Sequence, residues 1–142
     1  MQYSKVSEFM SRRAEQMLSG QIEALAAAFA YPLPVYLQDL PVVVSKAESA
    51  CAMLCLQRLS MIQRHVVAVR PTVTAIDLPR KGRFRVWVDW LEVAIPPEGT
   101  RRASAVYYCS DAGDGMKIEM VSYTRLSTPE LQPQFAALAL SA

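Results

Sequence analysis

The chain has 142 residues, of which 52% are apolar and 20% charged, so its composition is that of a globular protein rather than a disordered one. Its net charge of +2 excludes a dedicated nucleic-acid surface, and we predict no nucleic-acid partner. The apolar run over residues 24–30 is far shorter than the ~20 residues that cross a bilayer, and residues 1–13 lack the apolar core of a signal peptide. We predict no membrane partner and a cytoplasmic location.

Two short helices are predicted at the start of the chain. Apolar residues recur at helical spacing over residues 6–18, with Arg13 among the polar residues of the other face. Gly20 interrupts this run, since glycine readily ends a helix. A second apolar stripe covers residues 22–29 until Pro32 stops it.

The next segments are two short strands and a third helix. Residues 33–37 and 41–44 are apolar and extended in pattern, and the prolines in the first segment predict that it lies at a sheet edge. Ser45 and Glu48 have the spacing of a capping box, which opens a helix. The buried stripe of this helix runs to Val66.

After the third helix the apolar period changes to two, which is typical of strands. This pattern predicts long strands over residues 67–76, 84–95, 101–109 and 116–126. Short turns join them, such as Lys81-Gly82, so we expect consecutive antiparallel hairpins.

The end of the chain is predicted as an extension of the sheet domain. Residues 128–130 have the composition of a helix start, although Pro133 weakens a helix there. We interpret residues 1–142 as one domain, with residues 127–142 as its C-terminal extension.

The chain has three cysteines, and an odd number fits a reducing compartment better than a disulfide framework. Cys51 and Cys55 lie four residues apart on the third predicted helix, and the sequence favours buried structural thiols there. A zinc site would need two more ligands, and the chain has only one histidine, His65. We therefore predict no metal site and no cofactor.

The order of these elements resembles the nuclear transport factor 2-like superfamily, which includes ketosteroid isomerases and SnoaL-type polyketide cyclases. Three stretches resemble it locally: residues 20–29, Phe84-Arg85-Val86 with Trp90, and Gly115-Met116-Lys117-Ile118 ending at Tyr123. The resemblance implies an α+β fold in which three N-terminal helices pack on the concave face of a cone-like, curved antiparallel sheet.

The residues matched to isomerase chemistry do not fit that activity. Ketosteroid isomerases use a tyrosine, a basic carboxylate and a protonated aspartic acid. The matching positions in this chain are Arg13, Leu37 and Ala105. Because Leu37 and Ala105 cannot move protons, the resemblance does not imply ketosteroid isomerase activity here, and we assign no catalytic residue.

The resemblance also assigns the two faces of the sheet, since side chains alternate along a strand. The inward face forms a pocket for a small apolar or aromatic ligand, and its predicted residues are Tyr31, Phe84, Val86, Trp90, Tyr107, Val121 and Tyr123.

The outer face carries so many apolar residues that we expect another protein surface to pack against it. Members of this superfamily commonly dimerise by packing sheets together, so the resemblance implies a homodimer. The residues predicted at its interface are Trp87, Leu91, Tyr108, Ile118 and Met120.

Three titratable residues are candidates for chemistry. His65 has the pKa range of a general base, but a cation at the end of a helix is the favoured interpretation. Asp89 is expected to face outward and to pair with Arg85 or a partner chain. Glu92 faces inward near the strand end, which makes it the better candidate acid or base, although a solvated rim carboxylate is favoured.

A basic cluster around one hairpin suits an anionic ligand or an acidic partner, although such charges more often mark a solvated edge. The cluster consists of Arg80, Lys81, Arg83 and Arg85, with Arg101 and Arg102 expected beside it.

Three functions remain open from the sequence. The first is ligand binding without catalysis in the cone pocket. The second is a cofactor-independent isomerase, cyclase or lyase that uses Tyr31, Tyr107, Tyr123 or Glu92. The third is a protein-interaction module. A pocket above ~300 Å³ with a converging acid and hydroxyl would favour the enzyme. A pocket filled by Phe84, Trp90 and Tyr107 would favour the interaction module.

Overall fold

The computed structural model describes residues 2–111, 113 and 115–140. The elements in chain order are α1 (Gln2–Ser19), α2 (Ile22–Ala27), β1 (Leu33–Leu37), β2 (Leu40–Val44), α3 (Ala47–Gln63), β3 (Val66–Ile76), β4 (Arg83–Ala94), β5 (Arg101–Asp111), β6 (Met116–Arg125) and α4 (Gln132–Leu140). The remaining positions of the predicted domain, residues 1, 112, 114, 141 and 142, lie outside the described residues.

The predicted α+β fold with a curved sheet is confirmed. The strands of the described residues form one unclosed sheet in the order β2-β1-β6-β5-β4-β3. Lys81 and Gly82 form the predicted tight hairpin between β3 and β4, with φ angles of 53° and 76°. Such positive φ angles at both central residues match the twist of the strands that they join.

The sheet differs from the prediction in its first strand. β1 pairs antiparallel with β2 but parallel with β6, so the sheet is mixed and β1 lies in its interior. The edge prediction for β1 is therefore wrong. Its pairing with β6 begins only at Val35, one residue after Pro34, so the missing N–H of the proline interrupts no ladder bond to β6.

Arg58 of α3 connects that helix to the end of α1 through hydrogen bonds. Its Nε and Nη2 donate to the carbonyls of Met17 and Leu18 at 3.1 and 3.3 Å. Gly20 has a φ of +77°, and a Cβ there would lie 3.1 Å from the Arg58 guanidinium carbon. Glycine is therefore needed at this helix end both for its backbone angle and for space.

The predicted C-terminal extension contributes a further helix to the concave side. α4 packs against α3 and β2, and Gln132 of α4 donates from its side chain to the carbonyl of Leu37. Phe135 and Ala139 are only 5% and 2% exposed and belong to the hydrophobic core. Among the described residues, the structure contains no helix with the length and apolarity needed to span a membrane.

A β-bulge changes which side chains of β6 point inward. Tyr108 of β5 is opposite Met120, but the next residue, Cys109, is opposite Ile118, so Glu119 is the extra residue. An extra residue shifts the alternation of a strand by one position. As a result Ile118 is fully buried in the core.

Candidate functional site

An apolar cavity of about 160 Å³ lies between the concave face of the sheet and the helices. Its walls are mainly aliphatic and aromatic, and β1, β5, α3 and α4 all contribute to them. A dry engineered cavity of about 150 Å³ is large enough to bind benzene. The cavity therefore has room for a molecule built around a single ring. Its polar wall residues are Arg13, Gln57, Trp90, Glu92, Tyr107, Tyr123, Ser127 and Thr128.

The structure brings four of the seven predicted pocket residues to this cavity, namely Trp90, Tyr107, Val121 and Tyr123. Phe84 and Val86 face inward as predicted but are 4% and 0% exposed, and they belong to the packed core rather than to the cavity wall. Tyr31 does not line the cavity either. Its hydroxyl donates to the carbonyl of Ala26 at 2.7 Å, and burial raises its pKa to about 12.

Two phenols and an indole lie together in the cavity wall. Trp90 Nε1 donates to the hydroxyl of Tyr107 at 2.9 Å, and Tyr123 lines the same cavity. The partner of Trp90 across the ladder is Ala103, whose small side chain leaves room for the rings of Trp90 and Tyr107 to meet edge to face. Burial raises the pKa of both phenols above the usual value, so both carry their protons at neutral pH.

Arg13 is a site residue that the helical pattern did not indicate, although the family resemblance matched it to the isomerase tyrosine. Although predicted on the polar face of the first helix, it is only 8% exposed and lines the cavity. Its Nη1 donates to the carbonyl of Leu25 at 3.0 Å, and its guanidinium lies 4.9 Å from the ring centroid of Phe29. Burial lowers its pKa from the usual value, because the charged form is poorly solvated there.

Glu92 is buried at 4% exposure, so its favoured interpretation as a solvated rim carboxylate is wrong. One carboxylate oxygen accepts from Arg64 Nη2 at 2.5 Å. The other accepts from the Ser127 hydroxyl at 2.7 Å and from the Gln57 amide at 2.9 Å. The carboxylate is thus ion-paired and hydrogen-bonded on both oxygens, which suits a structural role better than proton transfer.

Backbone packing explains why Glu92 is buried. The turn after β4 brings Gly99 against the end of α3, where a Cβ on Gly99 would lie 2.5 Å from the carbonyl of Arg64. Arg64 Nη1 donates to the carbonyl of Gly99 at 3.0 Å. Only glycine permits this close contact between the turn and the end of α3. The contact holds Arg64 beside the carboxylate of Glu92 at the end of β4.

The other titratable candidates lie away from the cavity. His65 is exposed just after the end of α3, with a φ of 59°. Asp89 is exposed on the outer face and accepts from the Ser104 hydroxyl at 2.9 Å rather than pairing with Arg85. Cys55 is exposed, so the buried-thiol prediction is wrong for it.

The predicted basic cluster is smaller than expected and partly neutralised. Arg83 and Arg85 pair with Glu119 and Asp77 at 3.2 and 2.6 Å. Arg101 lies opposite Glu92 at the far end of β4, so it and its neighbour Arg102 are not beside the hairpin.

The outer face is partly apolar, but one predicted residue is absent from it. Ile118 points into the core because of the bulge in β6, so its predicted place in an outer interface is wrong. Trp87, Leu91, Tyr108 and Met120 are partly exposed. Tyr36 and Val43, which were not predicted on this face, extend it onto β1 and β2 at 42% and 51% exposure.

No protein-family model matches the sequence, and no curated protein is similar enough to match it. Solved structures share its fold. A domain of unknown function with a cystatin-like fold from Nostoc punctiforme has a TM-score of 0.67 at 17% identity, covering 99% of this chain and 87% of that one. An NTF-2 like protein of unknown function from Shewanella oneidensis has a TM-score of 0.66 at 11% identity, with 87% and 98% covered.

A third similar structure is described as a putative scytalone dehydratase from Novosphingobium aromaticivorans. Its TM-score is 0.63 at 12% identity, with 86% of this chain and 82% of that chain covered. Structural similarity at such low sequence identity shows a shared fold and nothing more. The activity of this chain has to be argued from its own site.

Proposed function

We propose that this chain, which has the fold of the nuclear transport factor 2-like superfamily, binds a small apolar or aromatic molecule in its cavity. The observation that carries the proposal is an open space of about 160 Å³ bounded by apolar side chains and a few convergent polar groups. Such a combination is typical of ligand sites. The proposed location is the cytoplasm, which fits its free cysteines.

The cavity also helps to separate the three functions that the sequence left open. Phe84 and Tyr107 are buried and Trp90 is partly buried, but together they leave the cavity open, which weighs against a pure interaction module. Its volume of about 160 Å³ is below the ~300 Å³ at which a converging acid and hydroxyl would favour the enzyme. A compact ligand therefore fits the site best.

Toluene is expected to bind saturably and to change the emission of Trp90. The chain has two tryptophans, so a Trp87→Phe variant leaves Trp90 in the cavity wall as the only reporter. Ligand that binds only the folded state also stabilises it, by about 2.7 kcal/mol at a hundred times Kd. The measurement is a fluorescence titration followed by urea unfolding with and without toluene.

Replacing either of two alanines on α3 by leucine gives a test variant and its matched control. Ala50 lines the cavity and is 3% exposed, whereas Ala47 is exposed on the same helix. Ala50→Leu is expected to fill the space and abolish binding, and Ala47→Leu to leave it unchanged. An emission change that never saturates, or equal binding by the two variants, would contradict the proposal.

A cofactor-independent lyase, isomerase or cyclase is the second candidate. The specific observation is that Tyr107 and Tyr123 are protonated donors beside the buried cation of Arg13, an arrangement that can stabilise an oxyanion. The putative scytalone dehydratase with a similar fold is consistent with this candidate. Turnover of a hydroxyl-bearing cyclic substrate that is lost in Tyr107→Phe would favour it over simple binding.

We also propose that the chain forms a homodimer through its outer sheet face. The support is the partly exposed apolar set of Trp87, Tyr108 and Met120, which continues onto Tyr36 and Val43. Exposed apolar residues that share one face of a sheet are typical of interaction sites on soluble proteins.

Trp87→Glu is expected to weaken this dimer by about thirtyfold or more, because central aromatic residues contribute ~2 kcal/mol or more to an interface. Sedimentation equilibrium at micromolar concentration measures the change. Leu78→Glu, at an 88% exposed site in the loop between β3 and β4, is the control and should leave association unaltered. A wild-type chain that sediments as a monomer would overturn the dimer.

A further inference from the structure

Arg13 carries a buried positive charge that no acidic side chain of the described residues neutralises. The ion pairs formed within the described ranges do not include it, and its guanidinium donates instead to the carbonyl of Leu25. A buried ion without a counter-ion carries a large desolvation cost. A guanidinium held in a cavity wall under these conditions points to an anion that completes the site.

The neighbouring groups cannot supply the missing negative charge. Tyr107, Tyr123 and Cys109 all have pKa values raised by burial, to about 12 for Cys109, so they are neutral at physiological pH. Glu92 also lines the cavity, but its charge is already balanced by Arg64 at 2.5 Å.

The geometry around Arg13 favours a fixed orientation of its guanidinium. The carbonyl of Leu25 holds Nη1 at 3.0 Å, and the ring of Phe29 lies 4.9 Å from the guanidinium carbon. An arginine held in this way presents a planar fork of donors, which matches the two oxygens of a carboxylate. The protonated phenols nearby add further donors.

We propose that the ligand is a compact aromatic or apolar monocarboxylate whose carboxylate is bound by Arg13 and whose body fills the apolar cavity. This inference rests on the proposed binding function and specifies the chemical class of its ligand. The volume of about 160 Å³ limits the body to roughly one ring. Among the described wall residues Arg13 is the only cation, so a second anionic group would be buried without a partner.

The test compares benzoate with benzamide, which have nearly the same shape but differ in charge at neutral pH. Calorimetric titration of the wild-type chain is expected to show benzoate binding about tenfold or more tightly, since hydrogen bonds to a charged group are stronger than neutral ones. Arg13→Met is expected to lose this preference, and Arg13→Lys to retain part of it.

A stability measurement distinguishes loss of the site from loss of the fold. Without ligand, Arg13→Met should be at least as resistant to urea as the wild type, because it removes an unpaired buried charge. If Arg13→Met does not fold, the wild-type comparison still tests the preference for a carboxylate, and a weaker preference in Arg13→Lys tests the assignment to Arg13.

The two proposals fail in different ways. Equal binding of benzoate, benzamide and toluene would overturn the carboxylate assignment while leaving the cavity a binding site. Failure of all three molecules to bind would overturn the binding function itself. Preference for benzoate that survives in Arg13→Met would show that another group binds the anion, and would also overturn the assignment to Arg13.

Discussion

Replacement of Glu92 by glutamine is expected to lower the free energy of unfolding by about 3 kcal/mol or more. The substitution keeps the shape of the side chain but removes the charge that balances Arg64, whose side chain is only 12% exposed. Removing one partner of a buried ion pair typically costs ~3–5 kcal/mol, because the other charge is left buried without compensation. Urea unfolding followed by circular dichroism measures the change.

Asp89→Asn on the same strand is the matched control for this substitution. Asp89 is exposed and bonded only to the hydroxyl of Ser104 in the described structure, so its loss of charge is expected to change stability by less than about 0.5 kcal/mol. A second variant, Glu92→Gln with Arg64→Met, should recover part of the loss by removing the orphaned cation. Similar small effects of Glu92→Gln and Asp89→Asn would show that the ion pair does not stabilise the site.

Phe135→Ala in α4 is expected to cost about 3–5 kcal/mol in unfolding free energy. The ring is 5% exposed and forms part of the cavity wall, so its removal both loses buried apolar area and enlarges the cavity. The effect would show that the C-terminal helix is an integral part of the core. Differential urea unfolding of the variant and the wild type provides the measurement.

Leu140→Ala tests the same helix on its exposed side. Leu140 is 79% exposed, so its truncation should change stability by only a few tenths of a kcal/mol, as for other surface substitutions. If Phe135→Ala were as mild as Leu140→Ala, α4 would be a loosely attached extension and the cavity would lack its proposed wall.

Much of the fold was predictable because strand alternation and turn residues depend only on neighbouring positions in the sequence. Alternation along residues 84–90 marks the inward face of β4, and the Lys81-Gly82 pair marks its hairpin. The third helix begins close to the predicted position, at Ala47, although its observed N-cap is Lys46 without a side-chain cap bond. The predicted buried stripe is wrong in the second half of this helix, where Leu59 and Ile62 are 49% and 53% exposed.

The site was less predictable because it depends on contacts between distant segments. An arginine among the polar residues of a helix normally faces water, and Arg13 is buried because α2 and the residues after it pack over it, through Leu25 and Phe29. The burial of Glu92 depends likewise on Gly99 and Ser127. The bulge in β6 turns Ile118 inward. Its extra residue is Glu119 rather than a glycine, so the sequence gives no signal for it.

A crystal structure of the protein grown with 4-bromobenzoate tests the central claim most directly. Bromine gives an anomalous signal that locates the ring independently of the surrounding density. The account predicts a bromine peak inside the cavity, with the carboxylate within hydrogen-bond distance of Arg13. A cavity that stays empty at saturating ligand, or bromine bound only elsewhere on the surface, would contradict it.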